Sequence, residues 1–280
     1  MTSPEAPRAA GHVRRWSWVL VLLVGGALFE YVRRGIVSTG NPNLVPSLLL
    51  LGAALIPTAF VVFVAGQRLV FAVSGGTVAL TALVGGVIGV VTAGTLEYGT
   101  LRRLGFVPMV SVGLIEEFTK LIVPAALLLF VLRRNRHPAD GLLLGVACGA
   151  GFAVLETMGY AFVVLIQSRG DLAVVDNVLF VRGILSPAAH MAWTGLAAAA
   201  LWRAAILHWQ PRAIAHFLGT YAVVVALHTA WDMAGSTAVY VILSAISLIL
   251  LTVVSHRLAA SSRRPGLPGH RVPVTGSRGP

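Results

Sequence analysis

The chain has 280 residues, of which 57% are hydrophobic and only 11% are charged. Soluble domains carry roughly 25% charged residues, so this chain lacks the polar side chains that a water-exposed surface needs. The net charge of +11 does not indicate a nucleic-acid partner, because the arginines lie in short clusters between apolar runs, as membrane topology signals do. Composition therefore predicts an all-α polytopic integral membrane protein whose solvent is the lipid bilayer.

A membrane-spanning helix needs about 20 mainly apolar residues. We predict eight such spans, in chain order at 16–32, 44–65, 74–96, 106–132, 139–166, 180–207, 213–234 and 238–256. Residues 1–15 then form a cytoplasmic N-terminal segment, and 16–256 form a single transmembrane domain. Residues 257–280 are rich in Ser, Pro, Gly and Arg, which is typical of a disordered basic tail.

The distribution of arginine predicts the orientation. With the N-terminus inside, the inner segments hold fourteen arginines and the outer loops hold five. Cytoplasmic loops carry an excess of positive residues, so we predict a multi-pass protein of the cell membrane with both termini in the cytoplasm.

Ionisable side chains inside the predicted spans are the strongest functional signal. A charged side chain at mid-membrane costs about 2.5–3.5 kcal/mol on insertion scales, so such residues must meet one another or water inside the helix bundle. Spans four to seven hold eight of them: Glu116, Glu117, Lys120, Glu156, Arg182, His190, His228 and Asp232.

Helix geometry places four of these residues at one depth. With a rise of 1.5 Å per residue, Glu116, Glu156, His190 and His228 all fall about 9–15 Å below the outer membrane face. Four helices of alternating direction therefore bring their polar groups to one level in the outer half of the bilayer. This convergence predicts a catalytic core in spans four to seven.

Spacing along each helix gives the expected local contacts. Lys120 follows Glu117 by three residues and Glu116 by four, so it can pair with either acid. His228 and Asp232 are also four residues apart, so Asp232 either orients the His228 ring or lines the site directly. We predict Glu116, Glu117, Lys120 and Asp232 as catalytic residues.

Small residues recur on span five. Gly141, Gly145, Gly149 and Ala153 lie four residues apart, which permits close packing against a neighbouring helix. Glu156 continues near this face, so we expect it to be buried against another helix.

Two other function classes use intramembrane acids and histidines. A proton-coupled transporter or channel uses them as proton relays, but it commonly has paired broken helices near the midplane. Here one candidate break occurs, at Pro187, and the polar level lies in the outer half. A non-catalytic membrane scaffold is the third class, but a scaffold has no reason to bear the insertion cost of these groups.

Four short blocks resemble the PrsW-type intramembrane proteases, which are related to the CAAX-prenyl endopeptidases. They are EEFTK at 116–120, GFAVLE at 151–156, RGILSPAAHMAWTG at 182–195 and HTAWD at 228–232. The second block departs slightly from the family pattern, since Thr157 stands where Asn is frequent. The resemblance implies a peptidase that cleaves a membrane-anchored protein substrate, for example in regulated proteolysis such as the cleavage of an anti-sigma factor.

Two mechanisms of peptide hydrolysis fit these residues. In the first, Glu156, His190 and His228 bind zinc, and Glu116 or Glu117 is the general base, since two histidines and a carboxylate form a known catalytic zinc set. In the second, a glutamate of the adjacent pair activates water without a metal, and the two histidines hold the substrate carbonyl or the oxyanion. We favour the metal mechanism with zinc as the cofactor.

Overall fold

A computed structural model gives the structure of residues 12–67, 69–132 and 137–261, and this part of the chain contains no β-strand. Its nine α-helices are α1 (His12–Thr39), α2 (Val45–Ala65), α3 (Gly75–Leu104), α4 (Met109–Ala126), α5 (Pro138–Gln167), α6 (Leu172–Leu185), α7 (His190–Ile206), α8 (Pro211–Asp232) and α9 (Thr237–Ser261). A π-helical segment, Leu127–Val131, extends α4. The predicted all-α fold is confirmed.

Local sequence fixes several helix ends. The Ser74 side chain accepts a hydrogen bond from the Thr77 amide at the start of α3, and Gly105 ends that helix in a left-handed conformation, which suits glycine. Pro138 and Pro211 occupy first-turn positions of α5 and α8, where the missing amide hydrogen costs nothing.

Six helical segments of the described chain are long and apolar enough to cross a membrane: Pro42–Ala65, Gly75–Leu104, Ala139–Gln167, Leu172–Ile206, Pro211–Asp232 and Thr237–Ala260. They coincide with six of the eight spans predicted from the sequence. The other two predicted spans coincide with α1 and with α4, whose charged residues include Glu116, Glu117 and Lys120. Eight crossings therefore stay a prediction.

The distribution of side chains is the reverse of that in a water-soluble protein. Large apolar side chains lie on the surface, including Leu83 at 66% exposure and Phe130 at 74%, while Glu117 and Lys120 are fully buried. An apolar surface of this extent needs lipid around it, and buried charges need partners inside the bundle.

The glycines of α5 bring α7 into close contact. A Cβ atom on Gly141 would lie 2.7 Å from the Trp202 side chain, and one on Gly145 would lie 2.5 Å from the Thr194 carbonyl oxygen. Gly149 faces the His190 carbonyl oxygen in the same way. The predicted small-residue packing surface is thus confirmed, with α7 as the helix that packs on it.

A break between α6 and α7 sets the position of a predicted site residue. The 3₁₀ helix Ser186–Ala188 separates the two helices, and Ala189 has a non-helical backbone with φ −108° and ψ −110°. Pro187 has no amide hydrogen for a helical bond. The break predicted at Pro187 is confirmed, and α7 begins at His190.

Two helices extend further towards the predicted outer side than the sequence indicated. α6 begins at Leu172, although the span was predicted from 180, and α1 continues to Thr39 beyond the predicted end at 32. Arg33 on α1 and Asp176 on α6 form an ion pair of 2.7 Å between Nε and Oδ2. This contact between distant parts of the chain gives the charged side chains of both extensions a partner.

The predicted terminal segments lie mostly outside the described residues. Residues 1–11 and 262–280 are not among them, so the predicted N-terminal segment and disordered tail stay predictions. α9 continues to Ser261, so the first residues of the predicted tail are helical.

Candidate active site

α4 places two acids and a lysine on one buried face. Lys120 Nζ lies 2.7 Å from Glu117 Oε1 and 3.0 Å from Glu116 Oε2. Glu117 and Lys120 are fully buried, and Glu116 is 7% exposed. The prediction that Lys120 can pair with either acid is confirmed, and it contacts both at once.

The two histidines approach α4 from α7 and α8, and carboxylates fix their hydrogens. His228 Nδ1 is 2.8 Å from Glu117 Oε1, and since an ionised carboxylate only accepts, Nδ1–H is the donor. His190 Nδ1 is 2.8 Å from Lys120 Nζ, and since an ammonium only donates, this nitrogen accepts. The opposite nitrogen, His190 Nε2, lies 3.0 Å from Glu156 Oε2 and donates to it.

Arg182 and Asp232 complete the polar cluster. Arg182 Nη2 lies 2.8 Å from Glu156 Oε2, and Arg182 Nε donates weakly to Thr157 Oγ1 at 3.4 Å. Asp232 Oδ2 lies 3.5 Å from His228 Nε2. All eight ionisable residues singled out from spans four to seven therefore meet in one network.

Aromatic rings enclose the histidines. The Trp193 ring packs on His228 at a centroid distance of 4.9 Å and meets His190 edge-on at 5.9 Å. The Phe152 ring lies 5.5 Å from His190 and 4.3 Å from the Lys120 ammonium. The Trp193 indole N–H donates to Ser247 Oγ at 2.9 Å, which anchors this wall to α9.

Three of the clustered residues offer converging metal-ligand atoms. One donor atom each from Glu116, His190 and His228 lies within 4.8 Å of the others, and all three residues are buried. Glu156, which the sequence assigned as a ligand, lies outside this group and contacts His190 and Arg182 instead. The geometry therefore exchanges the expected roles of Glu116 and Glu156.

Acceptor atoms face one another where these donors converge. His228 Nε2, which carries no hydrogen in the neutral ring, lies 3.6 Å from Glu116 Oε2 and 3.5 Å from Asp232 Oδ2. Glu116 Oε2 has no hydrogen-bond partner within the described chain, although it is buried and ion-paired with Lys120. Lone pairs that face each other repel unless a cation or a proton lies between them. The residues present therefore fit a bound metal cation.

Glu97 of α3 also faces the site, although it is not among the residues predicted from the sequence. Its half-buried carboxylate interacts electrostatically with Glu116 and Glu156, and Oε1 has no hydrogen-bond partner within the described ranges. α3 reaches this position because Gly89, two turns earlier on the same face, packs against Phe152. A lone acid just beyond a predicted span gave no signal in the sequence.

Negative charge exceeds positive charge in the cluster. Five of the chain's ten acidic residues lie there, together with one lysine and one arginine: Glu97, Glu116, Glu117, Glu156, Asp232, Lys120 and Arg182. With neutral histidines and ionised carboxylates, two positive charges face five negative ones. A buried excess of this size favours the binding of a further cation.

An apolar groove between α4 and α8 borders the cluster. It has a volume of about 570 Å³, and its walls include Leu114, Ala226 and Thr229. The Tyr221 hydroxyl donates to the Leu114 carbonyl oxygen at 3.0 Å and joins the two helices. Since Thr229 follows His228 in the chain, the groove runs directly beside the site.

The comparison with protein families covers the helices that build this site. The model of the PrsW family of intramembrane metalloproteases matches residues 57–256. The chain belongs to this family. The resemblance found in the four sequence blocks is confirmed, and so is the prediction of a membrane-embedded protease, with lipid and a membrane-embedded protein substrate as its partners. No curated protein and no solved structure matches the chain.

All predicted site residues of this PrsW-family chain lie inside the matched region, from Glu116 to Asp232. α1 lies outside it, in agreement with the absence of a recognised motif from the first predicted span. The family description also specifies a metalloprotease, which agrees in chemistry with the group formed by Glu116, His190 and His228.

Proposed function

We propose that this protein is a zinc-dependent endopeptidase that hydrolyses peptide bonds of membrane-anchored proteins in the outer half of the cell membrane. Glu116, His190 and His228 hold the metal. The observation that carries this proposal is the approach of His228 Nε2 to the carboxylate oxygens of Glu116 and Asp232 at 3.6 and 3.5 Å. Two imidazoles and a carboxylate that leave an open fourth position are a known catalytic zinc set.

The acids that do not bind the metal orient the histidines that do. Glu117 accepts the hydrogen of His228 Nδ1 and so directs the Nε2 lone pair towards Glu116. Glu156 accepts the hydrogen of His190 Nε2 and so directs Nδ1 into the cluster. A ligating histidine commonly donates its other N–H to a carboxylate, which fixes the tautomer and the ring orientation.

Asp232 is the proton acceptor in this proposal. It ends α8, which is the outer end in the predicted orientation, and its side chain is 24% exposed while that of Glu116 is 9% exposed. A water molecule that enters from the outer side meets this carboxylate beside His228. Asp232 takes the proton of that water and returns it to the leaving amine.

A zinc ion bound there supplies Lewis-acid activation of water and of the peptide carbonyl. The alternative without a metal uses the same side chains differently. Glu116 then activates the water directly, and the two histidines stabilise the oxyanion. The chemistry of the donor set favours the metal, because a proton between His228 and Glu116 neutralises one charge where the cluster has an excess of three.

The substrate reaches the site through the groove between α4 and α8. A transmembrane segment fits this groove because the wall is apolar along its length and open towards the lipid. The same two helices carry Glu116 and His228, so a segment lying between them passes beside the site. A peptide unwound there needs new hydrogen-bond partners for its backbone, and Thr229 lies on that wall. Following the family resemblance, we propose a single-span regulatory protein as the substrate, such as an anti-sigma factor.

New protein N-termini in the membrane of the native host test this function for any membrane-protein substrate. Strains that carry the wild type, Glu116→Gln or Glu30→Gln are compared by terminal-amine labelling and mass spectrometry. Glu30 is a matched control, because it is an exposed acid of α1 that pairs with Arg34 at 2.7 Å, outside the family match. We expect at least one membrane-protein cleavage that Glu116→Gln abolishes and Glu30→Gln retains. Identical N-termini in all three strains would contradict a protease function.

A further inference from the structure

Lys120 is the only lysine of the chain, and its ammonium lies at the centre of the cluster. Nζ is 2.7 Å from Glu117 Oε1, 2.8 Å from His190 Nδ1 and 3.0 Å from Glu116 Oε2. The side chain is fully buried. One ammonium thus satisfies three groups from two helices, α4 and α7.

Two of these three contacts use atoms that the metal needs. His190 Nδ1 accepts a hydrogen bond from Lys120, and this bond occupies the one lone pair with which that nitrogen can bind a metal. Glu116 supplies the carboxylate of the candidate metal group and is ion-paired with the same ammonium. Like charges within a few ångströms repel strongly in a medium of low dielectric constant. A metal ion and the Lys120 ammonium therefore compete for the same two residues.

We propose that Lys120 is a positioning residue that acts as an exchangeable internal cation. It holds Glu116 and His190 together, releases both when the metal binds, and keeps its contact with Glu117. This inference rests on the metal site of the proposed function. It gives the lysine of the EEFTK block a role in metal loading rather than in the chemical step.

The surroundings of Lys120 allow this exchange without an unpaired buried charge. Glu117 lies one helical turn before Lys120 and forms its shortest contact, at 2.7 Å. The Phe152 ring lies 4.3 Å from Nζ and adds a cation–π contact. Because the lysine side chain has a flexible four-carbon stem, its ammonium can leave His190 while it stays beside Glu117.

A zinc titration against a competing chelator measures the exchange. The wild type is compared with Lys120→Met, which keeps the length of the side chain and removes its charge. We expect Lys120→Met to bind zinc about tenfold more tightly or better, because the competing cation and its repulsion are both gone. Equal or weaker affinity in Lys120→Met would overturn the proposal.

Arg182→Met is the matched control for this titration. Arg182 is the other cation of the described cluster, but its guanidinium pairs with Glu156 and not with the metal group. If Lys120 competes by direct contact, Arg182→Met changes the zinc affinity by less than about threefold. Equal gains in both variants would show a general charge effect and would overturn the exchange.

A second measurement uses the unaltered protein and does not depend on the folding of a variant. Labelling with [ε-¹³C]lysine gives one side-chain resonance, because the chain has one lysine. We expect this resonance to move to a new position in proportion to bound zinc, up to one ion per chain. A resonance that stays in place while one zinc ion binds would overturn the exchange and leave the metal site intact. No zinc binding in the wild type or in Lys120→Met would instead contradict the metal site itself, and the exchange with it.

Discussion

Replacing each member of the adjacent acid pair by glutamine separates their roles. Glu117→Gln keeps a carbonyl oxygen that accepts from His228 Nδ1, now at 2.8 Å, but removes the negative charge that strengthens this bond. Glu116→Gln instead removes an ionised oxygen from the metal group. The two variants are nearly identical in size and lie one residue apart, so each is a control for the other.

The structure sets the expected magnitudes. Loss of a carboxylate that orients a metal-ligating histidine lowers metal affinity about 10–100-fold, which is about 1.4–2.8 kcal/mol. Lys120 keeps Glu116 at 3.0 Å in Glu117→Gln, so the lysine retains a charged partner and the variant stays folded. Glu116→Gln loses a direct ligand, and we expect its zinc affinity to fall more than about 100-fold, beyond the effect of an orienting carboxylate.

Competition with a fluorescent zinc chelator, on detergent-purified proteins of equal monodispersity, measures both affinities on one scale. The expected order is wild type, then Glu117→Gln, then Glu116→Gln. The reverse order of the two variants would place Glu117 in the metal group and refute the assignment of Glu116. Unchanged affinity in both would refute the metal site on α4.

Three further predictions concern substrate access and packing. Ala226→Trp fills the groove between α4 and α8 and should abolish substrate cleavage with normal zinc content, whereas Val223→Trp, at an exposed position of the same helix, should cleave normally. Gly149→Ala forces a Cβ against the His190 carbonyl and should destabilise the protein by about 1–3 kcal/mol in thermal unfolding, while Gly159→Ala, which meets open space, should not. Asp140→Ala removes the acceptor of two amide hydrogen bonds and should cost about 1–3 kcal/mol in the same thermal unfolding measurement.

The sequence could predict the features that depend on local spacing. The contacts of Lys120 with Glu116 and Glu117 follow from positions three and four residues apart on one helix. The contact of α5 with α7 follows from glycines at every fourth position, since such a face admits another backbone. The break at Pro187 follows from its missing amide hydrogen. Each of these needs only the chain's own local geometry.

Features that depend on contacts between distant segments were beyond the sequence. Glu156 is an intramembrane acid like Glu116, and only the position of Arg182 shows that Glu156 is already paired. Glu97 lies at the end of a predicted span and has no nearby partner in the chain, so its approach to the site depends on how α3 packs. The outer extension of α6 depends likewise on an ion pair between helices that are far apart in sequence.

The orientation of the chain stays a prediction that fusion reporters can check. A cytoplasm-active reporter fused after residue 280, or before residue 1, should be active in both cases. A periplasm-active reporter should be active in the loop between α3 and α4, where Gly105 ends the helix. The reverse pattern would place the site in the inner half of the membrane.

Metal content by mass spectrometry on the purified protein, beside His190→Ala and His228→Ala, tests the central claim most directly. The two histidines come from different helices, α7 and α8, and meet only in the folded site. About one zinc ion per chain in the wild type and none in either variant is the predicted result. A wild type without metal, or variants that both retain a full zinc ion, would contradict the metal centre formed by Glu116, His190 and His228.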